Sequence, residues 1–241
     1  VIEKNIFQTF FTKELPRPVV EIISELRSNN PDYKYFFYDD NDIEEFVRDN
    51  YSTDILTAYN MLQIGAAKAD FWRYLILYKK GGIYLDLDSC INKPLDSFLR
   101  EDDGALITRE RNAEYNKSFV QWCLFFKKGH PVLEKTIDYV AKKILENKEK
   151  RLDHITGPPI MSKAVEECYA HLNLSQCAYD TPDEEINKML TPAKEDYARF
   201  YGYDYSGLCT FKHPQSFYLY EPYINKKPWM QEQQFKSVIR Q

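Results

Sequence analysis

Residues 65–88, GAAKADFWRYLILYKKGGIYLDLD, constrain the fold more tightly than any other stretch of the chain. Residues 66–80 are good helix formers with no Gly or Pro until Gly81-Gly82. A Gly pair there supplies a left-handed end, and Lys79 and Lys80 sit at the negative pole of the helix dipole. Apolar and aromatic residues run all round this helix, which predicts burial on most sides. Asp70 and Arg73 interrupt it three residues apart, on one face, roughly 5–6 Å apart at Cβ. Charges in such a place need a partner or a ligand. Ile83-Tyr-Leu-Asp-Leu-Asp88 alternates strictly and predicts a strand over 83–88. On that reading Ile83, Leu85 and Leu87 face one side and Tyr84, Asp86 and Asp88 the other, with the carboxylates about 7 Å apart from strand rise. At a strand's C-terminal end this spacing suits a hard divalent cation, Mg²⁺ or Mn²⁺, sharing oxygen ligands with substrate phosphates.

Asp-x-Asp alone occurs readily by chance in a chain with 37 acidic residues. The whole frame, Asp70-x-x-Arg73-Tyr-x-x-Leu-Tyr-x-x-Gly-Gly-x-Tyr84-x-Asp86-x-Asp88, is more specific. It resembles the signature of glycosyltransferase family 32, which includes yeast-type α-1,6-mannosyltransferases, capsular polysaccharide transferases and, more distantly, the catalytic domains of the large clostridial glucosylating toxins. The resemblance implies a GT-A fold, a Rossmann-like mixed sheet flanked by helices in one domain over 1–241. Residues 1–100 would form the nucleotide-sugar-binding half and 101–241 the acceptor-side half. It implies a metal-dependent, retaining hexosyl transfer from a UDP-sugar or GDP-mannose to a glycan, lipid-linked or protein acceptor. Asp86 and Asp88 would hold Mn²⁺ or Mg²⁺, and Asp70 and Arg73 would contact the donor sugar and phosphate. Tyr84 would line the donor site.

Composition narrows the alternatives. A net charge of −5 gives no nucleic-acid footprint. The apolar runs fall short of the roughly 20 residues of a membrane span. No signal peptide is expected. The five cysteines are scattered, without C-x-x-C or zinc spacing, and read as reduced thiols in a reducing compartment, giving a cytoplasmic expectation. Three N-x-S sequences, at Asn50, Asn116 and Asn173, matter only on the secretory route. Two other function classes compete. One is an aspartyl-phosphate phosphatase of the haloacid dehalogenase type, which wants Thr or Val where Cys90 stands and a later Gly-Asp-x-x-x-Asp that is absent. The other is a non-catalytic domain that keeps the fold.

In chain order, residues 2–10 predict a first strand. By resemblance its end meets the nucleotide: Gln8-Thr9 match the family, while Phe7 and Phe10 replace a His and a Trp. Thr9 and Phe10 would lie by the base, and both phenylalanines also fit a core. A helix is expected over 18–28, a strand over 33–38, and two short helices over 42–49 and 54–63. Asp39 or Asp40 either caps the helix starting near Asn41 or approaches the nucleotide. This alternation is that of a parallel sheet flanked by helices. Farther on, a strand is expected over 104–108, a polar loop over 109–117, a strand over 119–126, and helices over 132–148 and 156–172. Asn116 sits where the family has an Asn near the donor sugar, or is a turn residue. His130 reads as a helix-start residue rather than a ligand. Thr156-Gly157-Pro158, present in the family, is a structural turn or an anion-facing helix start. The family's late His is missing after residue 213, which leaves the third metal contact open: the closing segment is divergent or trimmed, or His213 does part of the work, with Trp229 standing in for the family's late Trp.

Overall fold

The computed structural model describes residues 1–110, 118–170, 197–220, 233 and 236–240. Asn116, Asn173, Cys177 and Trp229 lie outside them.

In chain order the described residues form β1 (Asn5–Thr9), α1 (Arg17–Asn29), β2 (Lys34–Tyr38), α2 (Asp40–Asn50), α3 (Thr53–Met61), α4 (Gly65–Lys80), β3 (Gly82–Leu85), β4 (Cys90–Ile91), β5 (Ala105–Arg109), β6 (Cys123–Phe126), α5 (Pro131–Glu146), α6 (Leu152–Ile155), α7 (Pro158–Cys168), β7 (Arg199–Tyr203), β8 (Cys209–Thr210) and α8 (Phe217–Tyr220). Six strands form a sheet in the order β2-β1-β3-β6-β5-β7, and β4 pairs with β8 in a small second sheet. β1 runs parallel to β2 and β3, β6 runs antiparallel to β3 and β5, and β5 runs parallel to β7. The mixed sheet is the expected one.

The helix over 66–80 is present as α4, and every residue from Phe71 to Leu77 is buried. Gly81 ends it at φ 63°, with Lys79 and Lys80 in the last turn. Gly82 follows at φ 123°, and a Cβ there would lie 2.5 Å from the Asn5 carbonyl oxygen. This glycine lets β3 lie against β1. Phe7, Tyr84, Leu124 and Phe126 face a core built with α2 to α7, while Ile6, Ile83, Leu85 and Phe125 face one built with α1 and the small sheet. Asp39 caps α2 through a reciprocal capping box with Asp42. His130 caps α5, its Nδ1 accepting the Val132 N–H at 3.2 Å. Cys90, Cys123 and Cys209 are free thiols.

Three expectations need correction. The strand over 83–88 stops at Leu85: Asp86 still pairs, its N–H donating to Trp122 O at 2.8 Å, but Ser89 N–H then donates to Asp86 O at 3.0 Å and closes a turn. Leu87 therefore leaves the Ile83/Leu85 face and packs with Val19 and Leu219. The strand over 119–126 is regular only from Cys123, because Phe119 makes a single bridge to Arg109. The helix expected over 156–172 is α7, running only from Pro158 to Cys168, and a separate short helix, α6, ends at Ile155 before it, with Gly157 pressed against the Asp153 backbone.

Candidate active site

The site lies at the C-terminal ends of the parallel strands β1 and β3, where α/β sheets place ligands. Register sets Phe7 opposite Tyr84, so Gln8 and Thr9 reach the level of the Asp86 turn. Gln8 is buried; its Nε2 donates to Asp86 O at 3.4 Å and its Oε1 accepts from Tyr35 OH at 3.0 Å. Thr9 OH donates to Tyr38 O at 2.8 Å. Phe7 is core, stacked on Phe36 with ring centroids 5.3 Å apart. Phe10 is half-buried against Phe11 at 4.5 Å, at the strand end where a base-stacking ring was expected.

Arg73 is the hub. Its Nη2 lies 2.8 Å from Asp70 Oδ1 and 3.2 Å from Asp86 Oδ1, its Nη1 donates to Gln121 O at 2.9 Å, and its guanidinium stands 4.7 Å over the Tyr84 ring. The sequence offered an intrahelical Asp70–Arg73 pair and a ligand-facing pair as rival readings. The structure contains the intrahelical pair and extends it to the Asp86 turn. Tyr84 is on the Asp86 side as expected, but buried; its hydroxyl donates to Asp86 Oδ1 at 2.6 Å. Asp86 Oδ1 thus has two partners, and Oδ2 takes no hydrogen bond from any described residue.

Electrostatics follow from burial and charge count. Two carboxylates, Asp70 and Asp86, share one guanidinium, and Asp88 adds a further negative charge felt by Asp86. Burial pushes the Asp86 carboxyl up to about 7; Arg73 opposes this and Asp88 adds to it. Burial pushes Asp70 up to about 6, opposed by Arg73 and by hydrogen bonds from Thr156 and Gln121. Both neighbouring carboxylates favour the charged form of Arg73, which is held above its ordinary range.

Among the described residues no three His, Cys, Asp or Glu side chains converge into a ready metal cage. The donor set still fits a hard cation completed by substrate oxygens and water, because Mg²⁺-type sites rest on one or two carboxylates. His213 meets the turn at its backbone. The β4–β8 pairing brings it to the turn, where its N–H donates to Asp88 O at 2.8 Å. Its Nε2 lies 3.3 Å from Leu87 O; a carbonyl only accepts, so Nε2 carries a proton. Nδ1 is buried with no partner among the described residues.

Two site residues escaped the sequence reading. Thr156 OH donates to Asp70 Oδ2 at 3.0 Å, although only its motif had been singled out. Gln121 carries no local signal and enters through its fold position alone.

The family described as "glycosyltransferase sugar-binding region containing DXD motif" matches residues 16–105. The initiation-specific alpha-1,6-mannosyltransferase of Candida albicans is 28% identical over 67% of this chain and 52% of its own length. The inositol phosphoceramide mannosyltransferase 3 of Schizosaccharomyces pombe is 36% identical over 55% of this chain and 35% of its own. The chain therefore spans about half, or less, of these relatives. A solved structure titled PaToxG glycosyltransferase superposes with TM-score 0.55 at 20% identity, over 78% of this chain and 74% of that one, and shares the GT-A fold. Residues 16–105 thus match the glycosyltransferase sugar-binding region that contains the DXD motif, and the chain is similar to glycosyltransferases that carry it.

Proposed function

We propose that the protein transfers a hexosyl group, mannosyl in the first instance, from a nucleoside-diphosphate sugar to a glycan, lipid-linked or protein acceptor, with retention. One observation carries this reading: two carboxylates, Asp70 and Asp86, share one guanidinium at the end of β3 and, when both are ionised, leave an excess of negative charge there. That excess is costly in the free protein and is balanced by a divalent cation brought with a diphosphate. The mannosyl donor is supported by the similarity to two mannosyltransferases. The half-length coverage of those relatives leaves acceptor and linkage to experiment.

Asp88 and Asp86 Oδ2 would hold Mn²⁺ or Mg²⁺. The ion's chemistry there is to neutralise charge developing on the leaving diphosphate. Tyr84 and Arg73 fix Asp86 Oδ1 and so aim Oδ2 outward. Arg73, charged at every working pH, offers its fork to sugar and phosphate oxygens. Asp70, ionised above about pH 6, accepts from donor-sugar hydroxyls. Gln8 braces the Asp86 backbone, and Thr9 and Phe10 border the base. The free thiols fit a reducing, cytoplasmic setting.

The test is a donor panel, with GDP-mannose, GDP-fucose, UDP-glucose, UDP-galactose and UDP-N-acetylglucosamine each incubated with the protein and Mn²⁺. GDP release from GDP-mannose alone supports the mannosyl reading. Release from a UDP-sugar instead would replace the donor, and no turnover together with no nucleotide binding would favour the non-catalytic domain.

A further inference from the structure

Asp70, Arg73, Gln121 and Thr156 close a hydrogen-bonded ring. Arg73 Nη2 meets Asp70 Oδ1 at 2.8 Å, Thr156 OH donates to Asp70 Oδ2 at 3.0 Å, Gln121 Nε2 donates to Thr156 O at 3.0 Å, and Arg73 Nη1 donates to Gln121 O at 2.9 Å. Tyr74 OH adds a brace to Thr156 O at 3.1 Å. Three separate segments meet here: α4, the stretch before β6, and the α6–α7 junction. Arg73, Gln121 and Thr156 are each at most 5% exposed. Asp70 keeps a little access, its side chain 13% exposed.

We infer that Thr156 and Gln121 are positioning residues that set the carboxylate plane of Asp70 for the donor sugar. This inference rests on the proposed glycosyl transfer. A carboxylate held at one oxygen swings about Cβ–Cγ; one held at both presents its remaining lone pairs in one direction. Arg73 supplies the first hold from the same helix. The second comes from Thr156, whose single proton goes to the charged oxygen at 3.0 Å rather than to Leu152 O at 3.4 Å. Gln121 and Tyr74 in turn fix the Thr156 backbone. Thr156 and Gln121 lie beyond the family-matched residues 16–105, so the second half of the chain completes a site the first half begins.

Positioning of a sugar-binding group separates from general structural support in one readout: binding of the sugar nucleotide compared with the bare nucleotide. The experiment titrates GDP-mannose against GDP, and UDP-glucose against UDP, each with Mn²⁺, into wild type, Thr156→Val, Thr156→Ser and Gln121→Met, with thermal melts alongside. Thr156→Val keeps the shape and removes the proton; it weakens sugar-nucleotide binding by roughly tenfold or more, the scale of a hydrogen bond to a charge. It leaves bare nucleotide binding within about twofold. Gln121→Met behaves alike and Thr156→Ser retains both affinities. Equal losses for sugar nucleotide and bare nucleotide, no loss for either, or failure of both Thr156→Val and Gln121→Met to fold, would overturn the inference. Wild type binding neither class of ligand would overturn the proposed function as well.

Discussion

Asp86 concentrates the cost of this site in one side chain. Burial and Asp88 push its carboxyl up to about 7, with Arg73 as the main opposing charge. The folded chain thus binds that proton more tightly than the unfolded chain, so this group's contribution to stability falls as pH rises from about 4 through about 7. In chelator at pH 8, Asp86→Asn is expected to melt a few degrees above wild type, since ~1 kcal/mol moves Tm by about 2–4 °C in a chain of this size. An equal or lower Tm would show that Arg73 needs both carboxylates. Protons also compete with the cation for Asp86, so Mn²⁺ affinity should fall as pH drops through about 7, measured by calorimetry from pH 8 to 6. The side chains of Asp70, Arg73, Asp86 and Asp88 were legible because charges in an apolar frame demand an explanation. Gln121 was not, since it takes its meaning from Arg73 and Thr156, 48 and 35 residues away in the sequence.

Elements were legible where the signal was local. α4 is written in an unbroken run of helix formers closed by a Gly pair, and α2 in an Asp39–Asp42 capping box. The end of β3 was not, because alternation continues through Asp88 while the backbone turns at Asp86. That turn is fixed by partners from far along the chain, Trp122 O and the His213 N–H. Gly82 is the element-scale hinge of the site: at φ 123°, with Asn5 O 2.5 Å from any Cβ, it admits no side chain. Gly82→Ala should destabilise by about 2 kcal/mol or more, through strain and lost β1–β3 contact, read by denaturant unfolding. The same change at Gly65, whose Cβ would meet nothing within 4 Å, should be neutral or mildly stabilising.

At the scale of the molecule, the division into a donor half and an acceptor half simplifies too far. Residues 1–100 supply β1, α4 and the Asp86–Asp88 turn, yet Gln121, Thr156 and His213 all reach into the same site from beyond residue 100. The fold class was legible because strand–helix alternation up to β3 dictates a parallel start. The antiparallel insertion of β6 between β3 and β5 was not, because pairing order is a tertiary property. No helix among the described residues is long and apolar enough to cross a membrane. A ligand bound only by the folded site stabilises the whole chain, so Mn²⁺ with the matching nucleoside diphosphate at about 100 Kd should raise Tm by about 5–10 °C. Either component alone should do much less.

The most direct measurement is release of nucleoside diphosphate from the preferred sugar donor by wild type and Asp88→Ala, each with Mn²⁺ and with chelator. The account predicts turnover by wild type in Mn²⁺ only, and a loss of at least a hundredfold in Asp88→Ala, on the scale of a lost electrostatic stabiliser. Turnover that survives both chelator and Asp88→Ala would contradict it.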